Sequence, residues 1–442
     1  MRAIPVFLAL LLVAAGGGAL AVSGSQPPAI VDTDTSPPTA PSVANGSAAA
    51  ETTATINGTA PIRVLSLEEN GSVASNVDVV TLDAGTATAF SANASAERIE
   101  TIALRERITN ANTSDQRQIR ILDGLNEVDK DVITLHSRYR EAIASYHAGD
   151  LSAKAFLIEL ARIRAEAAAL EERTLMLNRL AEETENFALD DSRVFSIVYD
   201  LRTFDGPVRA RAAAAIAGEP AGTTRVYVAT TDESIVLSTI ADGRYVREAF
   251  RGDLRDRDNT GIDEETAQNV TARSYPEVWA ATGGSVSGQG SGGTFVFDLT
   301  YPNGTLTAFV GGGTERVFME HQRIDLSGIR SREAVTRTLD LTLTVNRTFP
   351  GGPLRIAVTE PRTGEPVDAV VKIGREGGES ADIGTTGDDG VLWTVSPRGE
   401  FVVTVVEVGA TDVSTVTTTS SDPVTVAEAL DSSGSNSTES GE

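Results

Sequence analysis

The amino-acid sequence predicts a multidomain α+β protein with a long antiparallel helical hairpin, a mixed α/β module and a C-terminal β-sandwich. Between residues 121 and 177, apolar residues recur at spacings of three and four, which is the period of amphipathic helices. Between residues 193 and 330, strand-like runs and helical runs are mixed. After residue 338, short alternating runs are separated by Gly, Pro and Asp turns, as in a sandwich of two sheets.

The N-terminus has the features of an export signal. Arg2 supplies a positive charge, and the 19 residues from Ile4 to Val22 contain no charged side chain. A run of this length is close to the lower limit for a membrane span, so residues 1–22 are either a cleaved signal peptide or a retained N-terminal anchor. The small residues around Ala19-Leu20-Ala21 favour cleavage.

Two helical seams predict the hairpin. One seam runs from Ile121 to Tyr146 and the next from Phe156 to Leu177. Gly149 predicts the end of the first helix, and Asp150 or Ser152 predicts the N-cap of the second. Because so short a connection leaves no room for a crossover, the two helices must be antiparallel.

The composition divides the chain into six segments. Residues 23–60 are rich in Pro, Ser and Thr and predict a disordered linker. The other segments are residues 61–192 (short strands and the hairpin), 193–330 (the α/β module), 338–412 (the β-sandwich) and 413–442 (a disordered acidic Ser/Thr tail).

Local signals predict further elements within these segments. Thr113 with Gln116 predicts a capping box, and Asn303-Gly304 predicts a hairpin turn. The predicted helices are 96–109, 207–217 and 263–279, the predicted strands are 62–67, 77–82, 225–230, 235–240, 294–300, 305–310, 318–326, 338–345, 354–359, 367–373, 391–395 and 401–408, and residues 283–293 are predicted to form a flexible loop.

The C-terminal segment resembles a known family of β-sandwiches. The segments that carry the resemblance are Thr363-Gly364-Glu365-Pro366-Val367-Asp368-Ala369-Val370-Val371, Thr386-Gly387-Asp388-Asp389-Gly390 and Pro397-Arg398-Gly399-Glu400-Phe401. Over about residues 353–408 they resemble the carboxypeptidase-regulatory-like (transthyretin-like) β-sandwich. The departures are Phe401, where tyrosine is usual, and Gly387, which adds a residue. The resemblance implies a structural or adhesive module.

The charge of the chain indicates a high-salt habitat. The formal net charge is −25, and Lys130, Lys154 and Lys372 are the only lysines. Concentrated salt screens repulsion between carboxylates within about 3 Å, whereas in dilute buffer the repulsion destabilises a compact fold. Nucleic acid is excluded as a partner class, because no basic stripe is present to neutralise phosphates.

Sequons for N-glycosylation are frequent and unevenly placed. They fall on nine of the 15 asparagines, and none lies between Ser114 and Gln268. The candidate glycosylation sites are Asn45, Asn57, Asn70, Asn93, Asn112, Asn269, Asn303, Asn346 and Asn436. With the signal, the linker and the acidity, these sites make the chain similar to exported haloarchaeal proteins of uncharacterised function.

Little in the sequence points to catalysis or a cofactor. The chain has no cysteine, which excludes disulfides and thiol chemistry. His136 and His147 would lie about 16 Å apart along one predicted helix and cannot share a zinc ion. We expect both to be exposed on the hairpin, with His321 elsewhere in the chain. The Gly288–Gly293 run matches a dinucleotide-binding pattern in letters only, because no strand is predicted before it and no helix after it.

One acidic loop is a candidate calcium site. Asp256, Asp258 and Asp263 alternate with other residues before a predicted helix. The twelfth position of such a loop would be Ala267, where a bidentate glutamate is required. We therefore favour a solvated acidic loop and expect neither a metal nor another cofactor.

These observations predict an exported, glycosylated cell-surface interaction or structural protein of a halophile that is not an enzyme. Its expected partners are other surface proteins or envelope components, and it would contact the membrane only through a retained N-terminal segment. Two alternatives stay open: an extracellular ligand-binding sensor or receptor that uses the α/β module, and, ranked below it, a hydrolase. The hairpin is the expected contact surface unless the rest of the chain covers it.

Overall fold

The computed structural model describes residues 62–67, 71–79, 84–217, 224–256, 261–291, 293–329, 333–375 and 377–426. It confirms the predicted α+β class, with the helical hairpin, the α/β module and the β-sandwich. The predicted signal and linker lie outside the described residues. In chain order the elements are β1 (Arg63–Val64), β2 (Val73–Val79), α1 (Ala84–Thr109), α2 (Ser114–Ala148), α3 (Ala153–Glu182), α4 (Asp191–Arg202), α5 (Pro207–Ala217), β3 (Thr224–Thr230), β4 (Ser234–Ala241), β5 (Arg244–Arg251), α6 (Glu264–Ser274), α7 (Pro276–Ala281), β6 (Val286–Ser291), β7 (Thr294–Tyr301), β8 (Gly304–Gly311), β9 (Arg316–Asp325), β10 (Glu333–Thr338), β11 (Thr342–Arg347), β12 (Pro353–Thr359), β13 (Ala369–Gly374), β14 (Ser380–Thr385), β15 (Val391–Val395), β16 (Glu400–Glu407), β17 (Val413–Thr419) and β18 (Val424–Thr425).

The predicted hairpin consists of α2 and α3, and its capping residues are those that the sequence predicts. The capping box is only half formed, because the Gln116 side chain accepts from the backbone N–H of Asn112, one residue before the N-cap. The Thr113 side chain accepts a hydrogen bond from the backbone N–H of Gln116 at the start of α2. Gly149 ends α2 with a φ of 85°, a conformation that glycine adopts without steric cost. Ser152 then accepts a hydrogen bond from the N–H of Ala155 and starts α3.

Every residue of the two predicted seams is buried. Leu135 and Ile163 are fully inaccessible to solvent. The same core continues into the sheet below, where the Tyr139 ring meets Phe250 edge-on at a centroid distance of 5.4 Å. The sheet of the same chain therefore covers one face of the hairpin.

Helix α1 is longer than predicted and is held by both apolar and ionic contacts. It begins at Ala84 rather than Ala96. The first turns were not predicted because they are rich in Ala, Ser and Thr and have no helical period of apolar residues. Its buried Leu104 belongs to the core of the hairpin. Arg173 of α3 is buried and donates a 3.1 Å hydrogen bond to Glu97 of α1, so a charge pair attaches α1 to the hairpin.

The α/β module is built on one large antiparallel sheet with the strand order β2-β3-β4-β5-β9-β8-β7-β6. Helices α1 to α5 lie on one face, and α6 and α7 pack on the other. The central strand β5 has no counterpart among the predicted strands, because Arg247 and Glu248 interrupt its apolar alternation. Both side chains are nevertheless buried.

Two predictions within this module were wrong. The predicted flexible loop at 283–293 contains the edge strand β6. Its glycines let aromatic rings of β7 lie against the backbone, since a Cβ at Gly288 would come within 2.5 Å of the Phe297 ring. The predicted helix 263–279 is divided into α6 and α7, because Pro276 lacks an N–H and disfavours helical geometry at Tyr275.

The C-terminal sandwich consists of the sheets β10-β11-β12-β15 and β14-β13-β16-β17, which enclose one apolar core. The single strand predicted at 338–345 is divided between β10 and β11. Strand β14 was missed because it is exposed along most of its length and lacks alternation. Strand β17 lies inside the predicted disordered tail and pairs with β16, which corrects that boundary. Residues 427–442 lie outside the described residues.

Within the described ranges, no helix has both the length and the apolarity that a bilayer crossing requires.

A pair of substitutions on α2 tests the packing of the hairpin. Leu135→Asp places a charge in the sealed core and should lower the free energy of unfolding by about 4 kcal/mol. Ile133 lies two residues away with 66% of its surface exposed, so Ile133→Asp should cost less than about 1 kcal/mol. Urea denaturation in molar KCl measures both, and equal losses would contradict this packing.

Candidate functional site

An extended segment lies on the centre of the sheet without joining it. We call this segment the strap (residues 62–67). It crosses the face opposite the long helices, and its Leu65 is buried in the core that also holds Tyr275 of the α6–α7 junction. Among the described residues, its only strand pairing is the two-residue parallel contact of β1 with β18.

Polar side chains of the two central strands hold the strap through its backbone. Arg247 and Arg251 point from β5 to this face, and Glu320 and Gln322 point to it from β9. We call these four residues the polar stripe. The Leu65 N–H donates to Glu320 Oε2 at 3.0 Å and Arg247 Nη2 donates to the Leu65 carbonyl at 2.8 Å.

Two further backbone carbonyls of the strap are held in the same way. Arg251 Nη1 donates to the carbonyl of Ser66 at 2.7 Å, and Gln322 Nε2 donates to the carbonyl of Arg63 at 2.8 Å. Side chains thus replace the backbone ladder that a strand would have.

The polar stripe contains a buried ion pair. Arg247 and Glu320 form a salt bridge, and both side chains are almost inaccessible to solvent. Tyr275 donates to the second carboxylate oxygen of Glu320 at 2.5 Å. Burial and the neighbouring Glu320 carboxylate raise the pKa of Tyr275 well above its ordinary value, so the phenol stays a donor to Glu320. Pairing of this kind is needed because an isolated buried charge is strongly destabilising.

Arg63 connects the strap to α7 and to β18. Its Nε and Nη2 atoms bind the two carboxylate oxygens of Glu277 at 3.1 and 2.8 Å, and its Nη1 atom donates to the carbonyl of Thr425 at 2.9 Å. Burial is the largest single effect and opposes ionisation of Glu277, but the hydrogen bond from Arg63, a backbone hydrogen bond and the charge of Arg63 together outweigh it and lower the pKa of that carboxyl.

A second buried ion pair lies on the opposite face of β5. Glu248 binds Arg209 of α5, with 2.6 Å between Oε1 and Nε, and both side chains are buried. The other oxygen of Glu248 accepts the backbone N–H of Val208 at 3.0 Å. The carboxylate therefore caps the N-terminus of α5, where a negative charge is stabilised.

The predicted histidines do not form one site. His136 is buried, which corrects the expectation of an exposed side chain, and its Nε2 atom lies 2.9 Å from Asp200 Oδ2. Asp200 also pairs with Arg255 at 2.5 Å, and the adjoining cavity has a volume of only about 80 Å³. Burial lowers the pKa of His321 to about 3. Across the described ranges, no three His, Asp or Glu side chains are grouped to hold a metal.

The structure describes only part of the candidate calcium loop. Asp263 accepts a hydrogen bond from the Thr266 N–H at 2.8 Å and is the N-cap of α6. Asp258 lies outside the described residues. The calcium prediction is untested, and the capping role accounts for Asp263. The Gly288–Gly293 run, rejected as a dinucleotide site, contributes most of the edge strand β6.

A crevice separates the sandwich from the strands β2 and β3. We call it the interdomain crevice. It has a volume of about 400 Å³ and is lined by Tyr227, Arg225, Arg375, Arg398 and Phe401 among others. Arg225 donates across it to the carbonyl of Asp382. Burial raises the pKa of Tyr227 to about 12. Three arginines and the carboxylates of Glu379 and Glu400 thus line the crevice together with aromatic rings.

The outward surface of the helical layer carries large apolar side chains. We call it the outer helical face and define it by Ile99 and Ile102 of α1 and Ile119 and Ile133 of α2. Each of these side chains is 58–66% exposed. Ile99 and Ile102 lie on one side of α1, and Ile119 and Ile133 lie on one side of α2.

The described sequons lie mainly on the surface. Asn93, Asn112, Asn269 and Asn303 are exposed. Asn346 is half-buried in β11, and its side-chain oxygen accepts a 3.4 Å hydrogen bond from Arg355. Asn45, Asn57, Asn70 and Asn436 lie outside the described residues.

Comparison with known families divides the chain into three matched segments. Residues 1–221 match the model described as a domain of unknown function (DUF7096). The chain belongs to this family. Residues 226–330 match the family of unknown function DUF7094, and residues 332–415 match the archaeal fibronectin-III type-like domain. The predicted β-sandwich is thereby confirmed. The searches of curated proteins and of solved structures gave no significant match.

These matches show which parts the polar stripe joins. The strap and β2 lie in the DUF7096 segment, whereas β5 and β9 lie in the DUF7094 segment. Strand β2 pairs with β3 along seven residues, so the large sheet is built from both. The sequence signal for the stripe was the set of charged residues at inward positions of strands, which an apolar-pattern search discards.

Glu320→Gln tests the stripe. It leaves Arg247 charged and buried with a neutral partner, so the free energy of unfolding should fall by about 3–5 kcal/mol. Arg244 and Asp325 form an exposed ion pair on the same two strands, and Arg244→Gln should cost less than about 1 kcal/mol. Chemical denaturation of both variants gives the comparison. A Glu320→Gln variant as stable as the parent would refute the assigned role.

Proposed function

We propose that this DUF7096 family member is an exported, glycosylated cell-surface protein of a halophilic archaeon, with an interaction or structural role and no catalytic activity. The observation that carries the proposal is the exposure of four large apolar side chains on the outer helical face. The outer helical face exposes large apolar side chains, and no sequon occurs on α2 to α5.

The positions of the sequons support the glycoprotein part. Four of the five sequon asparagines in the described ranges are exposed, as an attached glycan requires. Asn93 lies on α1 and Asn112 on its turn to α2, whereas Asn269 and Asn303 lie on the α/β module. The proposal assigns glycans to these four sites and none to the half-buried Asn346.

The charges support the halophilic part. Acidic side chains stay hydrated in concentrated salt, and the few lysines fit that habitat. Every cation paired in the interior of the described ranges is an arginine, as at Arg173, Arg209 and Arg247. Arginine forms several directed hydrogen bonds to carboxylates, and such contacts depend less on ionic strength than exposed pairs do.

The fold supports a structural or adhesive role. Fibronectin-III type-like sandwiches belong to an architecture common in cell-surface domains, and the resemblance of residues 353–408 to the carboxypeptidase-regulatory-like sandwich has the same implication. The partner we propose for the outer helical face is another protein of the envelope with a complementary apolar surface. Exposed apolar patches are typical of protein contact sites.

Cross-linking on intact cells tests the proposal. Ile119→Asp combined with Ile133→Asp should reduce partner capture about tenfold or more, because two charges would enter an apolar contact. Leu339 and Val408 are each 51% exposed on the sandwich, so Leu339→Asp with Val408→Asp is the matched control and should leave capture unchanged. Equal losses from both double variants, or capture of only a second copy of this chain, would contradict the proposal.

The interdomain crevice favours a second candidate, a ligand-binding sensor. Its volume is in the range of small-molecule sites, and arginines beside aromatic rings suit a carboxylate with an aromatic body. Phenylacetate should bind in calorimetric titration and its neutral amide, phenylacetamide, should not. Arg375→Gln should weaken phenylacetate about tenfold. Failure of phenylacetate to bind, or equal binding of the amide, would remove this candidate.

A further inference from the structure

The strap and β18 pair in parallel, and this orientation determines how their contact responds to tension. We propose that the strap, β18 and the polar stripe form a mechanical joint, which passes tension on the chain before residue 62 and after residue 426 into the folded body. The biological use of this joint rests on the proposed function, since a tethered surface protein experiences such tension. The mechanical property itself does not depend on it.

The orientation of the two strands determines how tension acts. β1 and β18 are parallel, with Arg63 opposite Val424 and Val64 opposite Thr425. A pull on the chain before residue 62 draws β1 toward its start, and a pull after residue 426 draws β18 toward its end. In a parallel pair these two pulls are opposed along the strand axes. The contacts are therefore sheared together and share the force, whereas an antiparallel pair loaded at one end opens bond by bond.

The contacts of Arg63 strengthen the parallel pair. Arg63 donates to the carbonyl of Thr425 at 2.9 Å and is fixed by two hydrogen bonds to Glu277 of α7. Sliding β1 past β18 would break the contact with Thr425 and both bonds to Glu277 in one step. Charge-assisted bonds of this two-point kind are among the strongest in proteins.

The polar stripe is loaded in the same direction. Leu65 is held by Arg247 and Ser66 by Arg251, so the strap runs in the same direction as β5. Gln322 and Glu320 hold Arg63 and Leu65 in the matching order along β9. Tension along the strap therefore reaches the two central strands of the large sheet, each of which is paired on both sides.

Burial raises the resistance of the joint. Val64 and Leu65 are buried, and so are Arg247 and Glu320 of the stripe. Withdrawal of the strap would expose the Arg247–Glu320 ion pair and remove the hydrogen bonds that both side chains make to Leu65. Loss of such partners costs free energy when polar groups are buried.

Force spectroscopy of the full chain tests the joint. The chain has no cysteine, so single introduced cysteines give unique attachment points. In the first geometry, Ser42→Cys and Ser433→Cys place the force across the joint. In the second, Asn303→Cys and Leu339→Cys apply the force between two exposed turns, so that neither the chain before residue 62 nor the chain after residue 426 is under tension.

Arg63→Gln should shorten the lifetime at constant force about tenfold in the first geometry and change it less than about twofold in the second. Arg244→Gln, which removes an exposed ion pair of the same strands, should behave like the parent in both. If Arg63→Gln does not fold, Gln322→Met removes only the 2.8 Å bond to the carbonyl of Arg63 and should show the same selectivity for the first geometry.

Two outcomes would overturn the proposal. One is an equal loss of lifetime in both geometries, which would make Arg63 a general stabilising residue. The other is release of the strap at low force before the body unfolds, with the same lifetime in the parent and in Arg63→Gln. The experiment uses purified protein, so neither outcome depends on export, glycans or an envelope partner, and failure of the cross-linking test would leave the joint intact.

Discussion

The layers of this protein depend on two adjacent residues of one strand. Arg247 and Glu248 point to opposite faces of β5, and each is buried and paired. Arg247 with Glu320 fixes the strap, while Glu248 with Arg209 fixes the start of α5. A buried charge is tolerated only with its partner in place. The position of each layer is therefore dictated by the need to complete an ion pair, in addition to the general tendency to bury apolar surface.

This arrangement explains which parts of the fold the sequence predicts. The hairpin was predictable because Leu135, Ile163 and the other seam residues follow the helical period without interruption, and because Thr113, Gly149 and Ser152 mark its ends by local chemistry. The strands β7 and β8 were predictable from their apolar runs and the Asn303-Gly304 turn. In each case the signal lies within a short stretch of chain.

The parts that were missed depend on contacts with distant residues. Strand β5 was missed because charged residues such as Arg247 and Glu248 indicate an exposed segment. Their burial depends on ion-pair partners that lie far away in the sequence. Strand β6 was missed because glycine indicates a loop, whereas here Phe297 of the adjacent strand requires a position without a side chain. His136 was expected at the surface because its partner Asp200 lies on another helix. The candidate surfaces differ in the same way. The sequons are local patterns and can be read from the sequence, whereas the polar stripe depends on contacts between distant residues.

The pairing of β1 with β18 also determines the reach of the protein. The chain begins and ends its described course side by side, at the spacing of neighbouring strands, about 4.8 Å. The folded body therefore adds almost nothing to the distance between whatever holds the first segment and whatever holds the last. In the polyproline conformation, residues 23–60 would span about 118 Å at ~3.1 Å per residue. Under the proposed surface attachment, the height of the body would be set by the length of that segment, and insertions or deletions in it would change the height without altering the fold.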